Sequence, residues 1–101
     1  MILNDPRVPT IAEHHGLEHQ LNKLVEEMAE LTVAIMHIKK ADNPEKRWAD
    51  VIEELGDVMI VASDVQHLLP ETDKMSLSES ISYKLNRELV RIGAAKELNH
   101  G

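Results

Sequence analysis

The chain has 101 residues, a formal net charge of −7 with neutral histidines, and no cysteine. The missing cysteines exclude disulfides, thiolate zinc sites and cysteine nucleophiles. The acidic balance disfavours nonspecific nucleic-acid binding, which needs lysines and arginines to displace counterions. Because the chain has no phenylalanine, one tryptophan and one tyrosine, its core must consist of aliphatic residues and methionine, a composition that favours helices.

The first ten residues lack a basic stretch followed by an apolar one, so we expect no signal peptide. No apolar run approaches the length of a membrane span, and we expect a cytoplasmic protein with no membrane partner. Pro6 and Pro9 predict an extended or turn-like start. Thr10 followed by Glu13 resembles a capping box and predicts that a short helix opens there. Gly16 is expected to interrupt this helix or to separate it from the next.

Three longer helices are predicted by apolar residues that recur in steps of three and four. The first extends from Leu17 to Ile38, about six turns, and Asp42-Asn43-Pro44 breaks it. The second extends from Trp48 to Leu69, just before Pro70. The third opens at a second capping box, Ser76 with Glu79, and either ends at Gly93 or continues through 94–98.

These patterns predict an all-α fold, a helical bundle of three to four helices completed by oligomerisation. A chain of this length buries a limited share of its surface, and its helices leave apolar surface over. We expect one domain spanning 1–101, in which 1–16 form an N-terminal extension and short helix and 17–98 form the helical core.

Two acidic pairs stand beside the apolar positions of the first two long helices. Glu27 and Glu30 are three residues apart, as are Glu54 and Asp57, so each pair lies on one helix face. A short connection predicts that the two helices pack antiparallel, which would bring the pairs together. Four carboxylates meeting in one place need a compensating cation or raised pKa values, and magnesium suits such oxygen ligands.

The chain resembles the MazG-like all-α nucleoside triphosphate pyrophosphohydrolases. The resemblance rests on Glu-Glu-x-x-Glu-Leu-x-x-Ala at 26–34 and Glu-Glu-x-x-Asp-Val at 53–58, in the order and spacing of that family. Weaker similarity extends from the His-Gln-Leu-x-Lys stretch at 19–23 to Lys-Leu-Asn-Arg at 84–87. The matching region therefore covers most of the chain.

The resemblance implies hydrolysis of a nucleoside triphosphate to the monophosphate and pyrophosphate, with a role in nucleotide-pool housekeeping. It implies that magnesium, with manganese as an alternative, is held by Glu27, Glu30, Glu54 and Asp57. It also implies a homodimer or homotetramer. Glu27 or Glu30 is expected to serve as the catalytic general base, and the sequence does not choose between them.

Substrate-binding residues are predicted outside the acidic pairs. Lys84 and Arg87 lie on one face of the third long helix, where a basic stripe suits phosphate. Alternatively, this basic stripe is a solvated helix face whose side chains pair with nearby acidic residues. Trp48 and Tyr83 are the only large aromatic residues and are candidates for stacking on a base, although Trp48 also suits a core or an interface between copies.

Other functions remain open at this stage. Phosphoribosyl-ATP pyrophosphohydrolase is similar in size and in its acidic helices, and a catalytically silent helical interaction protein would keep the same fold. His14, His15 and His19 have helical spacing, but no zinc-protease pattern accompanies them, so we interpret them as a surface cluster. The sequence contains neither a phosphate-binding Gly-x-x-x-x-Gly-Lys loop nor a Gly-x-Ser-x-Gly elbow.

Overall fold

The computed structural model describes residues 3–40 and 43–93, and these residues form four helices and no strand. The helices are α1 (Arg7–His15), α2 (Leu17–Ile38), α3 (Pro44–Leu68) and α4 (Glu71–Arg91). The predicted all-α class and the helix count are therefore confirmed. The chain divides into two compact units, one ending at Leu69 and containing α1 to α3, the other beginning at Pro70 and containing α4. None of the described helices is long and apolar enough to cross a membrane.

Two predicted breaks have clear local causes. Gly16 has φ +85°, a conformation that L side chains rarely adopt, and its N–H donates to the carbonyl of Ala12 at 2.8 Å. Asn43 caps α3, since its side-chain oxygen accepts from the Lys46 N–H at 3.3 Å, while Pro44 takes the first helical position. The predicted break before each of these helices is confirmed, but α3 begins at Pro44 and not at the predicted Trp48, because Asn43 caps the helix and proline suits its first position.

The capping box predicted at Thr10 is wrong, because α1 already begins at Arg7. Asp5 provides the start signal: its carboxylate accepts from the Arg7 N–H at 2.9 Å, and its carbonyl accepts from the Val8 N–H at 3.1 Å. Pro6 lies between them with φ −65°, the value that suits the start of a helix. An aspartate followed by a proline was therefore the better sequence signal.

The second capping box, at Ser76, is also wrong, because α4 begins five residues earlier at Glu71, directly after Pro70. Acidic residues in the first turn suit the positive end of the helix dipole, and the Ser76 hydroxyl instead donates to the Thr72 carbonyl at 3.1 Å. The helix ends at Arg91 and Gly93 follows with φ +79°, as one alternative predicted. The predicted continuation through 94–98 lies outside the described residues.

Helices α2 and α3 pack antiparallel, as predicted. Gln20, near the start of α2, donates through Nε2 to Asp64 Oδ2, near the end of α3, at 2.8 Å. Further along, Glu30 approaches Glu54, so residue numbers fall along α3 as they rise along α2. This arrangement brings the acidic segments of the two helices together.

The buried apolar core of the described residues is small and consists of Val8, Ala12, Ala34, Val51 and Val61. These residues are aliphatic, as expected, but no methionine, leucine or isoleucine of the described chain is among them. Met28 in the middle of α2 is 53% exposed, and many leucine, isoleucine and methionine side chains are similarly exposed. The reason is geometric: within its unit, α2 packs only against α1 and α3, so much of its apolar surface has no partner there.

Candidate metal centre

Three carboxylates from two helices meet between α2 and α3. Glu27 and Glu30 lie one turn apart on α2, and Glu54 faces them from α3. One carboxylate oxygen of each residue lies within 4.8 Å of the others. Glu27 is buried, at 6% exposure, Glu54 is half-buried, and Glu30 is exposed. The cluster therefore has one side closed by protein and one side open to solvent.

Asp57, the fourth predicted ligand, is not among the carboxylates that meet within this distance. It is exposed and lies one turn beyond Glu54 on α3. Its negative charge nevertheless contributes to the raised pKa of Glu54. The structure thus brings three of the four predicted ligands together and leaves Asp57 beside them.

The pKa of Glu54 reflects its burial and the acidic side chains around it. Burial is the main cause that raises the pKa of Glu54 above its ordinary value. Glu30 raises this pKa further through repulsion and a hydrogen bond, and the charges of Asp57 and Glu27 add to the repulsion. Glu27 Oε2 and Glu54 Oε2 are buried and accept no hydrogen bond. Carboxylate oxygens without donors, close together and open on one side, fit a hard divalent cation such as magnesium.

Lys23 is a member of this site that the sequence interpretation missed. Its ammonium group lies 3.2 Å from Glu27 Oε1 and 3.9 Å from Glu26 Oε2. The hydrogen bond to Glu27 is the main cause that raises the pKa of Lys23 above its ordinary value. The signal was available, since Lys23 precedes Glu27 by four residues, a spacing that places both side chains on one helix face.

A cavity of about 380 Å³ adjoins the carboxylates. Glu30 and Glu54 form part of its wall, and the remaining wall is formed by Ala29, Val33, Ala34, His37 and Asp50. Small apolar side chains together with a few polar groups are typical of small-molecule sites. The cavity therefore offers space for a ligand directly beside the candidate cation position.

The predicted substrate-binding residues lie on two helices. Trp48, in the second turn of α3, is 58% exposed, so it does not belong to the core of the described residues. Tyr83, Lys84 and Arg87 are exposed on α4, in the second compact unit. The Arg87 guanidinium lies 5.8 Å from the centre of the Tyr83 ring, and no described carboxylate forms an ion pair with Lys84 or Arg87.

The histidines near the start of α2 lie at the surface. His14, His15 and His19 are exposed, and the rings of His15 and His19 stack with centroids 4.6 Å apart. Within the described ranges, the one acidic or histidine group with metal-ligand spacing is the Glu27, Glu30 and Glu54 cluster. In the part of the chain that the structure describes, the carboxylate cluster and not the histidines is therefore the candidate metal centre.

The raised pKa of Glu54 predicts how the metal-free protein responds to pH. A carboxyl group whose pKa is higher in the folded state than its ordinary value of 4.5 stabilises the fold only while protonated. We therefore expect the free energy of unfolding in chelator to lose a contribution as pH rises from 4.5 through the raised folded pKa. Urea unfolding across this range measures it, and Glu54→Gln should remove this contribution.

Glu45→Gln, at an exposed position in the first turn of α3, is the control and should keep the wild-type pH dependence. If the difference in unfolding free energy between wild type and Glu54→Gln is the same at every pH measured, the raised pKa of Glu54 in the folded state is contradicted.

Comparison with known proteins agrees with the acidic geometry. Residues 15–88 match the MazG nucleotide pyrophosphohydrolase domain, so the match covers all of α2 and α3 and most of α4. None of the curated proteins or solved structures compared with the chain matches it. The match spans well over half of the chain and contains all four motif acids. The chain belongs to the family of MazG nucleotide pyrophosphohydrolase domains.

Proposed function

We propose that this protein hydrolyses a nucleoside triphosphate to the monophosphate and pyrophosphate in a magnesium-dependent reaction, with manganese as an alternative cation. The observation that carries the proposal is the cluster of Glu27, Glu30 and Glu54, whose oxygens lie within 4.8 Å of one another beside a cavity. Family membership supports pyrophosphohydrolase chemistry in general. Housekeeping of the nucleotide pool and a cytoplasmic location are part of the same proposal.

Glu27, Glu30 and Glu54 would hold the cation, and Asp57 would join them from the next turn of α3. A bound magnesium ion would neutralise charge on the phosphate chain and lower the pKa of a water molecule. The residues of this chain position the reactants. The buried Glu27 fixes the closed side of the site, while Glu30 and Glu54 border the cavity that would receive the phosphates.

Glu30 is better placed than Glu27 to accept the proton of the attacking water. Glu27 is buried and already engaged by Lys23 at 3.2 Å, whereas Glu30 is exposed and forms part of the cavity wall. A general base must reach the proton that it removes, so accessibility favours Glu30. Glu27 would then act chiefly as a ligand that holds the cation in position.

Lys84 and Arg87 are proposed to bind the phosphates, with Tyr83 and Trp48 as candidates for contact with the base. We expect Lys84→Ala and Arg87→Ala each to raise KM about tenfold or more, since a charge-assisted hydrogen bond to phosphate is lost. Lys74→Ala is the control on the same helix, because Lys74 pairs with Glu71 at 3.1 Å. Steady-state kinetics measure the effect, and unchanged KM in both variants contradicts the role.

A homodimer or homotetramer is the assembly that we propose. Exposed apolar side chains occur on α2, α3 and α4, and a second copy would cover such surface. The substrate is expected to be a nucleotide, with neither nucleic acid nor membrane as a partner.

Product analysis tests the proposed function. A panel of common and damaged triphosphates, together with phosphoribosyl-ATP, is incubated with magnesium, and pyrophosphate release is measured for wild type and Glu27→Gln. We expect wild type to release pyrophosphate and monophosphate from at least one compound, and Glu27→Gln to lose that activity while keeping its helicity. Cleavage of phosphoribosyl-ATP alone would assign the related reaction instead. A wild type that releases no pyrophosphate and binds neither magnesium nor manganese contradicts enzymatic function.

A further inference from the structure

The cavity beside the acidic cluster is larger than a hydrated cation. Its volume is about 380 Å³. At about 30 Å³ per water molecule, a magnesium ion with a shell of about six waters would occupy about half of it. Besides Glu30 and Glu54, its wall contains two further polar residues, Asp50 and His37, which do not belong to the cluster. The cavity therefore has room and polar groups for a larger ligand.

Asp50 and His37 lie on the same side of the acidic cluster. Asp50 precedes Glu54 by four residues on α3. On α2, His37 follows Glu30 by seven. At about 1.5 Å per residue, these separations are about 6 Å and about 10 Å along the helices. Because α2 and α3 are antiparallel, both displacements point towards the connection between them, so the cavity extends from the cluster past Asp50 to His37.

The carboxylate of Asp50 is available to a ligand. Asp50 is half-buried and forms part of the cavity wall. In the described part of the chain, no residue donates a hydrogen bond to its carboxylate or forms an ion pair with it. An ionised carboxylate only accepts hydrogen bonds, through two oxygens that lie side by side. The part of a ligand that lies beside Asp50 should therefore present hydroxyl or amino donors.

A nucleoside triphosphate held at the acidic cluster would meet these residues in a fixed order. The sugar follows the first phosphate, and the base follows the sugar. The distance from this phosphate to the sugar hydroxyls is comparable to the one helical turn that separates Glu54 from Asp50. A ribose presents two neighbouring hydroxyls, and proteins often bind them with an acidic side chain. The base would then lie towards His37, at the end of α3 that also carries Trp48.

We propose that Asp50 accepts hydrogen bonds from the 2′- and 3′-hydroxyls of the substrate's ribose, so that the enzyme selects ribonucleotides over 2′-deoxyribonucleotides. This inference rests on the proposed function and names its substrate class. A 2′-deoxy sugar leaves one oxygen of Asp50 without its donor. Because Asp50 is only half-buried, water replaces part of the lost interaction, and the discrimination is moderate.

Matched nucleotides test the proposal. For wild type with magnesium, we expect kcat/KM for adenosine triphosphate to exceed that for its 2′-deoxy form by at least about tenfold, and likewise for cytidine triphosphate. In Asp50→Ala each ratio should fall to within about threefold of unity, because the acceptor is gone. Asp50→Asn keeps one acceptor oxygen and should give intermediate ratios. Glu45→Ala, exposed on the same helix, should keep the wild-type ratios.

A binding measurement detects sugar selection without turnover. The α,β-methylene analogue of adenosine triphosphate has a carbon in place of the oxygen between its first two phosphates, so that linkage is not hydrolysed. In titration calorimetry with magnesium, wild type should bind this analogue at least about tenfold more tightly than its 2′-deoxy form, and Asp50→Ala should lose the difference. Magnesium alone should bind Asp50→Ala within about fivefold of wild type, because the charge of Asp50 acts on the cation only from a distance.

The outcomes are distinct. Equal hydrolysis or equal binding of the ribose and 2′-deoxyribose forms by wild type overturns the sugar assignment and leaves the pyrophosphohydrolase intact. A ribose preference that survives in Asp50→Ala, or that is undiminished in Asp50→Asn, overturns it as well. So does a loss of magnesium affinity above about tenfold in Asp50→Ala, which would make Asp50 a cation ligand. Ribose-selective binding without pyrophosphate release from any triphosphate would support the assignment while removing the proposed reaction.

Discussion

Glu54→Gln is expected to lower kcat by about a thousandfold or more at saturating magnesium, because it removes a charged ligand from the centre of the cluster. Glutamine keeps the shape of the side chain, and its neutral amide removes both the burial of a charge and the repulsion that together raise the pKa of Glu54. The metal-free variant should therefore fold at least as well as wild type. Loss of activity would then reflect lost chemistry rather than lost structure.

Glu45→Gln on the same helix is the matched control and should retain kcat within about twofold, since surface substitutions away from a site have small effects. Rates of pyrophosphate release, together with helicity and the free energy of unfolding, provide the measurements. A Glu54→Gln enzyme with more than a tenth of the wild-type kcat would contradict the assignment of Glu54 to the cation site.

Magnesium or manganese is expected to stabilise the folded protein strongly. A ligand that binds only the native state at one hundred times its Kd adds about 2.7 kcal/mol of stability. For a domain of this size each kcal/mol raises Tm by about 4–8 °C, so the total shift should be about 10 °C or more. Thermal unfolding with increasing cation measures it, and chelator should reverse it.

The same titration on Glu27→Gln separates specific binding from a general salt effect. Glu27 is the buried member of the cluster, and its Oε2 accepts no hydrogen bond. Replacing Glu27 should abolish most of the cation-induced rise in Tm. Sodium chloride at equal ionic strength, without any divalent cation, should not reproduce the rise in wild type. An equal rise in both proteins would show that the cation binds elsewhere.

The helices could be predicted from the sequence because their signals are local. Apolar spacing located α2 and α3, and Gly16 and Gly93 mark boundaries that the structure confirms, whereas α3 begins at Pro44, four residues before the predicted Trp48. The helix starts at Arg7 and Glu71 were missed for one physical reason. Ser or Thr followed three residues later by Glu occurs by chance, and a proline just before the first turn was the stronger signal at both positions.

The candidate site was predictable in part. The three-residue spacing of Glu27 and Glu30, together with the family resemblance, identified acids that the structure brings within 4.8 Å of Glu54. The link between Gln20 and Asp64 was not predictable, because these residues are 44 positions apart and neither belongs to a repeated pattern. Only the antiparallel register of α2 and α3 brings them together. A buried network of this kind depends on tertiary structure.

Burial was the least predictable property. The apolar spacing of α2 and α3 was correct, but it says only which residues share a face, not what covers that face. The core of the described chain consists of valines and alanines, while Met28 and Trp48 remain more than half exposed. Whether an apolar face is buried depends on neighbouring helices or on a second copy of the chain, and the spacing of apolar residues carries no information about either.

Anomalous diffraction from crystals grown with manganese tests the central claim most directly. The account predicts a manganese peak within ligand distance of carboxylate oxygens of Glu27, Glu30 and Glu54, at about 2.0–2.3 Å as expected for a hard divalent cation. It further predicts that the peak disappears in Glu27→Gln. A protein saturated with manganese that shows no peak between α2 and α3, or shows one on other residues, would contradict the assignment of this cluster as the metal centre.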